Sequence, residues 1–196
     1  MIIENEIPLL ESILTPWREV IGEDYLGYRN HVYRMLHCCF ELLDHDSYAN
    51  ELSSDPIVIV ADHEQDRQKL IIAAAFHDIG IWIDKTIDYI PPSLPPAMAY
   101  LEDNGLSAWS DEITLMITEH HKLTEVTDPR YRLVELFRRG DLVDFSLGMV
   151  RFGIDKVILN KLKTTFPNEG FHRGLLAKGS RWFLKHPLNP APMMKW

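Results

Sequence analysis

Apolar residues recur along this chain with the period of an α-helix, and in three places a polar residue breaks into the apolar stripe. Tyr28, His31, Met35, Cys38 and Leu42 follow i, i+3, i+7, i+10 and i+14, the spacing of one helical face. Leu70, Ala73, Ala74 and His77 follow i, i+3, i+4 and i+7, and Val134, Phe137, Asp141 and Phe145 follow i, i+3, i+7 and i+11. Asp78 comes directly after His77 and just before Gly80, where the pattern predicts a helix end. Burying one imidazole or carboxylate without a partner costs on the order of a few kcal/mol. A lone His on such a stripe is more often a hydrogen-bonded core residue, and a lone Asp is more often paired with an Arg such as Arg138 or Arg139. Three helices making the same costly choice point to a shared partner. Two imidazoles and two carboxylates suit a divalent cation.

The rest of the pattern is nearly all helical, which predicts an all-α multi-helix bundle. Helices are expected over about Pro8 to Val20 and Asp24 to Leu43, with Asp44 to Pro56 as a loop. Ile57 to Val60 reads as a buried connector, and Asp62 or His63 opens the helix that ends at His77. The stretch Asp84 to Pro96 carries four prolines and is expected not to be helical through its middle. A short helix follows at Ala97 to Asp103, stopped at Asn104 and Gly105. Ser110 reads as an N-cap ahead of Asp111 and Glu112, in a helix that runs to His120 and His121. Pro129 opens the helix bearing Asp141. Two further helices are expected over Asp155 to Phe166 and Glu169 to His186. The tail Pro187 to Trp196 is expected to pack across the body or a partner subunit, which leaves a homo-oligomer open.

Composition narrows the classes. At 196 residues, 46% hydrophobic and 25% charged, the chain is an ordinary globular protein of one domain over 1–196. No apolar run approaches the roughly 20 residues of a membrane span, and the acidic N-terminus lacks a signal peptide's basic start. The adjacent Cys38 and Cys39 are poor candidates for a structural disulfide, so a cytoplasmic setting is expected. A formal charge of −9 argues against a duplex nucleic-acid partner, though not against a small anion.

Three words in order carry a resemblance: Tyr28-Arg29-Asn30-His31-Val32-Tyr33-Arg34, Ala73-Ala74-Ala75-Phe76-His77-Asp78-Ile79-Gly80 and Gly140-Asp141-Leu142-Val143-Asp144. Over about residues 20–150 the chain resembles the HD-domain superfamily of metal-dependent phosphohydrolases. Residues 151–196 would then pack on that core. The resemblance implies metal ligands at His31, His77, Asp78 and Asp141. It also implies one divalent ion (Mn, Fe, Co, Ni, Zn or Mg) that activates a water and neutralises a phosphoryl group. Two departures stand out. Two-metal relatives supply histidines at two separated places before the final Asp, whereas here only His120 and His121 occur. Some nucleotidases have a Glu three residues after the Asp of the pair, where this chain has Ile81.

Asp78, Asp84 or His120 would therefore supply acid–base chemistry, His120 because Ile113, Met116, Ile117 and His120 share one face. Arg34, Lys85, His121 and Asp144 are the candidates for contacting a substrate phosphate or its water, with Tyr89 and Ile90 walling the pocket. The function expected is hydrolysis of a small phosphorylated metabolite or nucleotide. Two other readings stand beside it: an HD-type di-iron oxygenase, and a non-catalytic metal-containing ligand-binding or scaffolding module.

Overall fold

The computed structural model describes residues 2–50 and 56–194, without the side chains of 46–50, 56–62 and 129. The fold is all-α: no β-strand occurs among the described residues, and no helix there is long and apolar enough to cross a membrane. In chain order the helices are α1 (Pro8–Leu14), α2 (Arg18–Ile21), α3 (Tyr25–Asn50), α4 (Pro56–Phe76) and α5 (Gly80–Ile83). They are followed by α6 (Ile90–Asp103), α7 (Ser110–Glu119), α8 (Arg132–Phe145), α9 (Lys156–Thr165) and α10 (Phe171–Lys185).

The long helix α3 is the spine. It packs most extensively on α8 and also on α4, while α7 joins α4 to α8. The stripes explain this: Tyr28, Met35 and Cys38 of α3, Leu70, Ala73 and Ala74 of α4, and Val134 and Phe137 of α8 are all buried in one core. Gly140 sets the closest approach. A Cβ there would collide with the Cys39 sulfur and crowd the Met35 carbonyl at 3.2 Å. The backbone of α8 can therefore lie against α3 at the residue just before Asp141.

Several elements differ from their expected bounds. Pro16 falls in a 3-10 turn, Thr15–Trp17, which splits the first helix into α1 and α2. Residues Asp44 to Asn50 continue α3 instead of opening a loop, and Ile57 to Val60 are the first turn of α4. Whether those four side chains are buried lies outside the described residues, as do 51–55.

The proline-rich stretch is the clearest correction, since Ile90–Asp103 is one helix. Pro91 and Pro92 sit in the first turn, where no N–H is needed. Pro95 and Pro96 each forfeit a ladder bond, but Ile90, Ser93, Ala97 and Leu101 form a buried face at helical spacing that holds the helix in place. Ser110 is not a cap: a 3-10 turn, Ser107–Trp109, leads straight into α7 and no side chain caps it. Pro129 likewise opens a 3-10 turn ahead of α8, with the Asp128 carboxylate accepting from the Arg130 amide.

Helix-interior Gly→Ala normally gains about 1 kcal/mol through propensity. Gly140→Ala is expected to reverse that sign and lose about 1–3 kcal/mol through overpacking against Cys39, as read from urea denaturation. A stabilised variant would mean that the two helices are not in close contact there.

Candidate metal centre

Three imidazoles reach the middle of the bundle with the same ring nitrogen leading. On α3, His31 Nδ1 lies 2.7 Å from the Asp144 carboxylate. At the turn after α4, His77 Nδ1 donates to the Ala74 carbonyl at 2.8 Å. At the end of α7, His120 Nδ1 donates to the Ile117 carbonyl at 2.7 Å. Carbonyls and an ionised carboxylate only accept, so each Nδ1 carries the proton and each Nε2 presents a lone pair. His31 Nε2 and His77 Nε2 are nonetheless 3.2 Å apart. Two lone pairs that close repel, and a cation between them removes the repulsion.

The carboxylates complete two groups of ligand atoms. Asp78 Oδ2 lies 3.2 Å from His77 Nε2 and 3.8 Å from His31 Nε2. Asp141 Oδ1 lies 3.5 Å from His31 Nε2 and 3.9 Å from His77 Nε2. The opposite oxygens turn the other way: Asp78 Oδ1 is 3.5 Å from His120 Nε2, and Asp141 Oδ2 is 3.8 Å from His121 Nδ1. Asp78 Oδ1, His120 Nε2 and Asp141 Oδ2 are buried without a hydrogen-bond partner, and all three belong to this second group. Nitrogen and carboxylate donors at these separations could hold a metal ion, in the set His31, His77 and Asp78 and in the set Asp78, His120 and His121. Spacing in the sequence suggested one ion, because His120 and His121 come from a single place. The structure adds what spacing omits, namely that both carboxylates turn an oxygen toward each group.

The remaining candidates divide. Asp144 and Arg34 are buried partners of each other, with Arg34 Nε at 2.6 Å and an Arg34 terminal nitrogen at 2.8 Å from the carboxylate. Arg34 also donates to the Phe166 carbonyl at 2.9 Å. Held in this way, the guanidinium is turned onto Asp144 and the Phe166 carbonyl, and Asp144 in turn holds His31 Nδ1. Asp84 is exposed at the end of α5 and does not line the cavity over the cluster. Lys85, held at φ +51°, is exposed and faces a separate groove with Lys178, Arg181 and Lys185. His120 lies behind Asp78 and does not border the cavity, whereas His121 does.

Tyr89 lines the cavity and exchanges a 2.5 Å hydrogen bond with His121 Nε2, which leaves Nδ1 facing the cluster. Ile87 lines it too, whereas Ile90 does not. Sequence reading missed Phe171, whose ring stacks on His31 at 4.4 Å between centroids, and His172, which meets the Asp144 carbonyl at 3.1 Å. Both come from α10, beyond the recognisable words. Only the i, i+4 pair Phe171 and Leu175 hinted at an inward face there.

Burial governs the protonation of the cluster. It pushes His31 down to about 4, against the pull of Asp144, so this imidazole is neutral near pH 7. Burial also raises Asp141 to about 8, with Asp78 and Asp144 adding to the rise. Burial, reinforced by Asp78 and Asp141, keeps the Tyr89 hydroxyl protonated.

No family model and no solved structure matches this chain. A stretch of 130 residues, 64% of the chain, is 29% identical to the bifunctional uridylyltransferase/uridylyl-removing enzyme of Vibrio campbellii (strain ATCC BAA-1116). The match covers 14% of that much longer protein.

Two expectations follow from this geometry. A metal ion needs Asp141 as a carboxylate, and with its pKa raised to about 8 the group is protonated below that pH. Calorimetric titration with Mn²⁺ should therefore show affinity rising about tenfold per unit from pH 6 to 8 and levelling above, with about one proton released per ion at pH 7. A flat profile would contradict the assigned proton. Separately, Arg34→Met leaves Asp144 buried without its cation. It is expected to cost about 3–5 kcal/mol in denaturation and to weaken Mn²⁺ binding about 10–100-fold; a variant with wild-type Mn²⁺ affinity would remove Arg34 from the site.

Proposed function

We propose that this chain is a metal-dependent phosphohydrolase of HD-domain type acting on a small phosphorylated molecule. The observation that carries this reading is the pair of facing Nε2 lone pairs at 3.2 Å, flanked by Asp78 and Asp141. His31, His77, Asp78 and Asp141 would hold one ion. The unpartnered Asp78 Oδ1, His120 Nε2 and Asp141 Oδ2, with His121, favour a second ion beside it, so His120 is assigned to binding instead of proton transfer. Such ions lower the pKa of water and offset the charge of a phosphoryl group.

The protein's own part is positioning and proton supply. Asp144 and Arg34 fix the His31 tautomer, and the Ala74 and Ile117 carbonyls fix those of His77 and His120. Tyr89, which retains its proton, and His121 stand together at the cavity wall. They are the pair placed to hand a proton to a departing oxygen. The Vibrio campbellii relative supports the reaction class, since removing a uridylyl group breaks a phosphoester bond.

Purified protein loaded in turn with Mn, Fe, Co, Ni, Zn and Mg is expected to release phosphate from at least one member of a phosphate-ester panel. Asp78→Ala should abolish both metal retention and release while the protein stays helical by circular dichroism. Tyr89→Phe should keep the metal and slow turnover about 10²-fold. Oxygen consumption by the iron form with no phosphate release would replace this reading with an oxygenase. Neither activity across the panel would leave a binding module.

A further inference from the structure

The cavity that opens from the cluster has a volume of about 380 Å³. Its floor is polar, formed by His31, Asp78, His121 and Asp141. Its walls are mostly apolar, with Phe145 from the end of α8, Leu175 and Leu176 from α10, and Pro190, Met193 and Met194 from the tail; the polar side chains among them, Tyr89, His172 and Ser180, are already hydrogen-bonded to His121, the Asp144 carbonyl and the Leu176 carbonyl. Among the described residues, no Lys or Arg lines it. The cations that seemed available from the sequence are elsewhere, since Arg34 is bound into Asp144 and Lys85 faces the separate groove.

A substrate's charge can then be met only at the floor. Each further phosphate or hydroxyl would leave water for a wall that offers it few partners, all of them already hydrogen-bonded within the protein, at a cost comparable to an unmade hydrogen bond. The apolar walls reward the opposite chemistry. For scale, a dry apolar cavity of roughly 150 Å³ accepts benzene, so this cavity holds an apolar group about twice that size. Methionines at the rim adapt to such a group. Resting on the metal-site reading above, we propose that the substrate is a single phosphoryl group esterified to a compact alkyl or aryl portion, not a nucleoside polyphosphate or a sugar phosphate.

The test uses the full chain and non-hydrolysable phosphonates. Mn²⁺ is first titrated alone, and failure to bind it would sink the metal reading itself. Calorimetry on the Mn²⁺-loaded protein then compares methyl-, butyl-, 3,4-dihydroxybutyl- and naphthylmethylphosphonate. Affinity is expected to rise about fourfold per buried methylene from methyl to butyl, to be greatest for naphthylmethyl, and to fall for dihydroxybutyl relative to butyl. Met193→Gln should narrow the naphthylmethyl-to-methyl ratio.

With Mn²⁺ bound, the proposal on substrate class is overturned by a flat series, by dihydroxybutyl binding as tightly as butyl, or by no phosphonate binding at all. Lys195 lies outside the described residues, so the series is repeated in Lys195→Ala. The same ranking is expected there, and loss of methylphosphonate binding would overturn the argument from a wall without cations.

Discussion

Placing Asp78 and Asp141 side by side at the centre of a helical bundle is the constraint from which the rest of this structure follows. Two carboxylates that are 4% and 2% exposed repel each other and lose their water, and buried charge is tolerated only when something opposite in sign is near. The imidazole tautomers do not relieve this. His31, His77 and His120 are held by acceptors at Nδ1, so their contribution to the centre is three lone pairs and no protons. That choice worsens the electrostatics of the bare cluster while suiting a cation. A fold that sought stability alone would have turned those rings around to donate to the carboxylates.

Precision at the centre depends on close packing some distance away. The absence of a side chain at Gly140 lets α8 settle on α3, and this brings Asp141 to His31 and Asp144 to Arg34. Gly80 has a similar role below the His77 turn: a Cβ there would meet the Tyr89 carbonyl and the ring of Pro92. It therefore lets the start of α6, with Tyr89 at its head, lie against the Gly80 backbone, whose N–H donates to Ser93 Oγ. Both glycines sit inside the words that carried the family resemblance, and each acts by permitting close contact.

The helical faces were legible in the sequence because periodicity reports which side of a helix is buried. His31, His77, Asp141 and His120 all face inward as their stripes require. Periodicity does not report which groups meet. Arg34 and Asp144 are one turn after His31 and Asp141 respectively, and nothing in the spacing reveals that they pair with each other across two helices. Lys85 is close to His77 in sequence, yet the left-handed turn at that residue sends its side chain to another groove. The proline-rich stretch misled for a thermodynamic reason. Four prolines oppose a helix locally, but two occupy the first turn at no loss, and the buried face of α6 outweighs the other two. The apolar cavity walls come largely from α10 and the tail, where no motif guided the reading.

Crystals soaked in Mn²⁺ test the proposal that the cluster is built around cations. Anomalous scattering is expected to place one ion among His31, His77, Asp78 and Asp141, with a second peak beside His120 and His121. A cluster that stays empty at saturating Mn²⁺ and pH above 8, with the His31 and His77 rings reoriented to bond the carboxylates themselves, would contradict it.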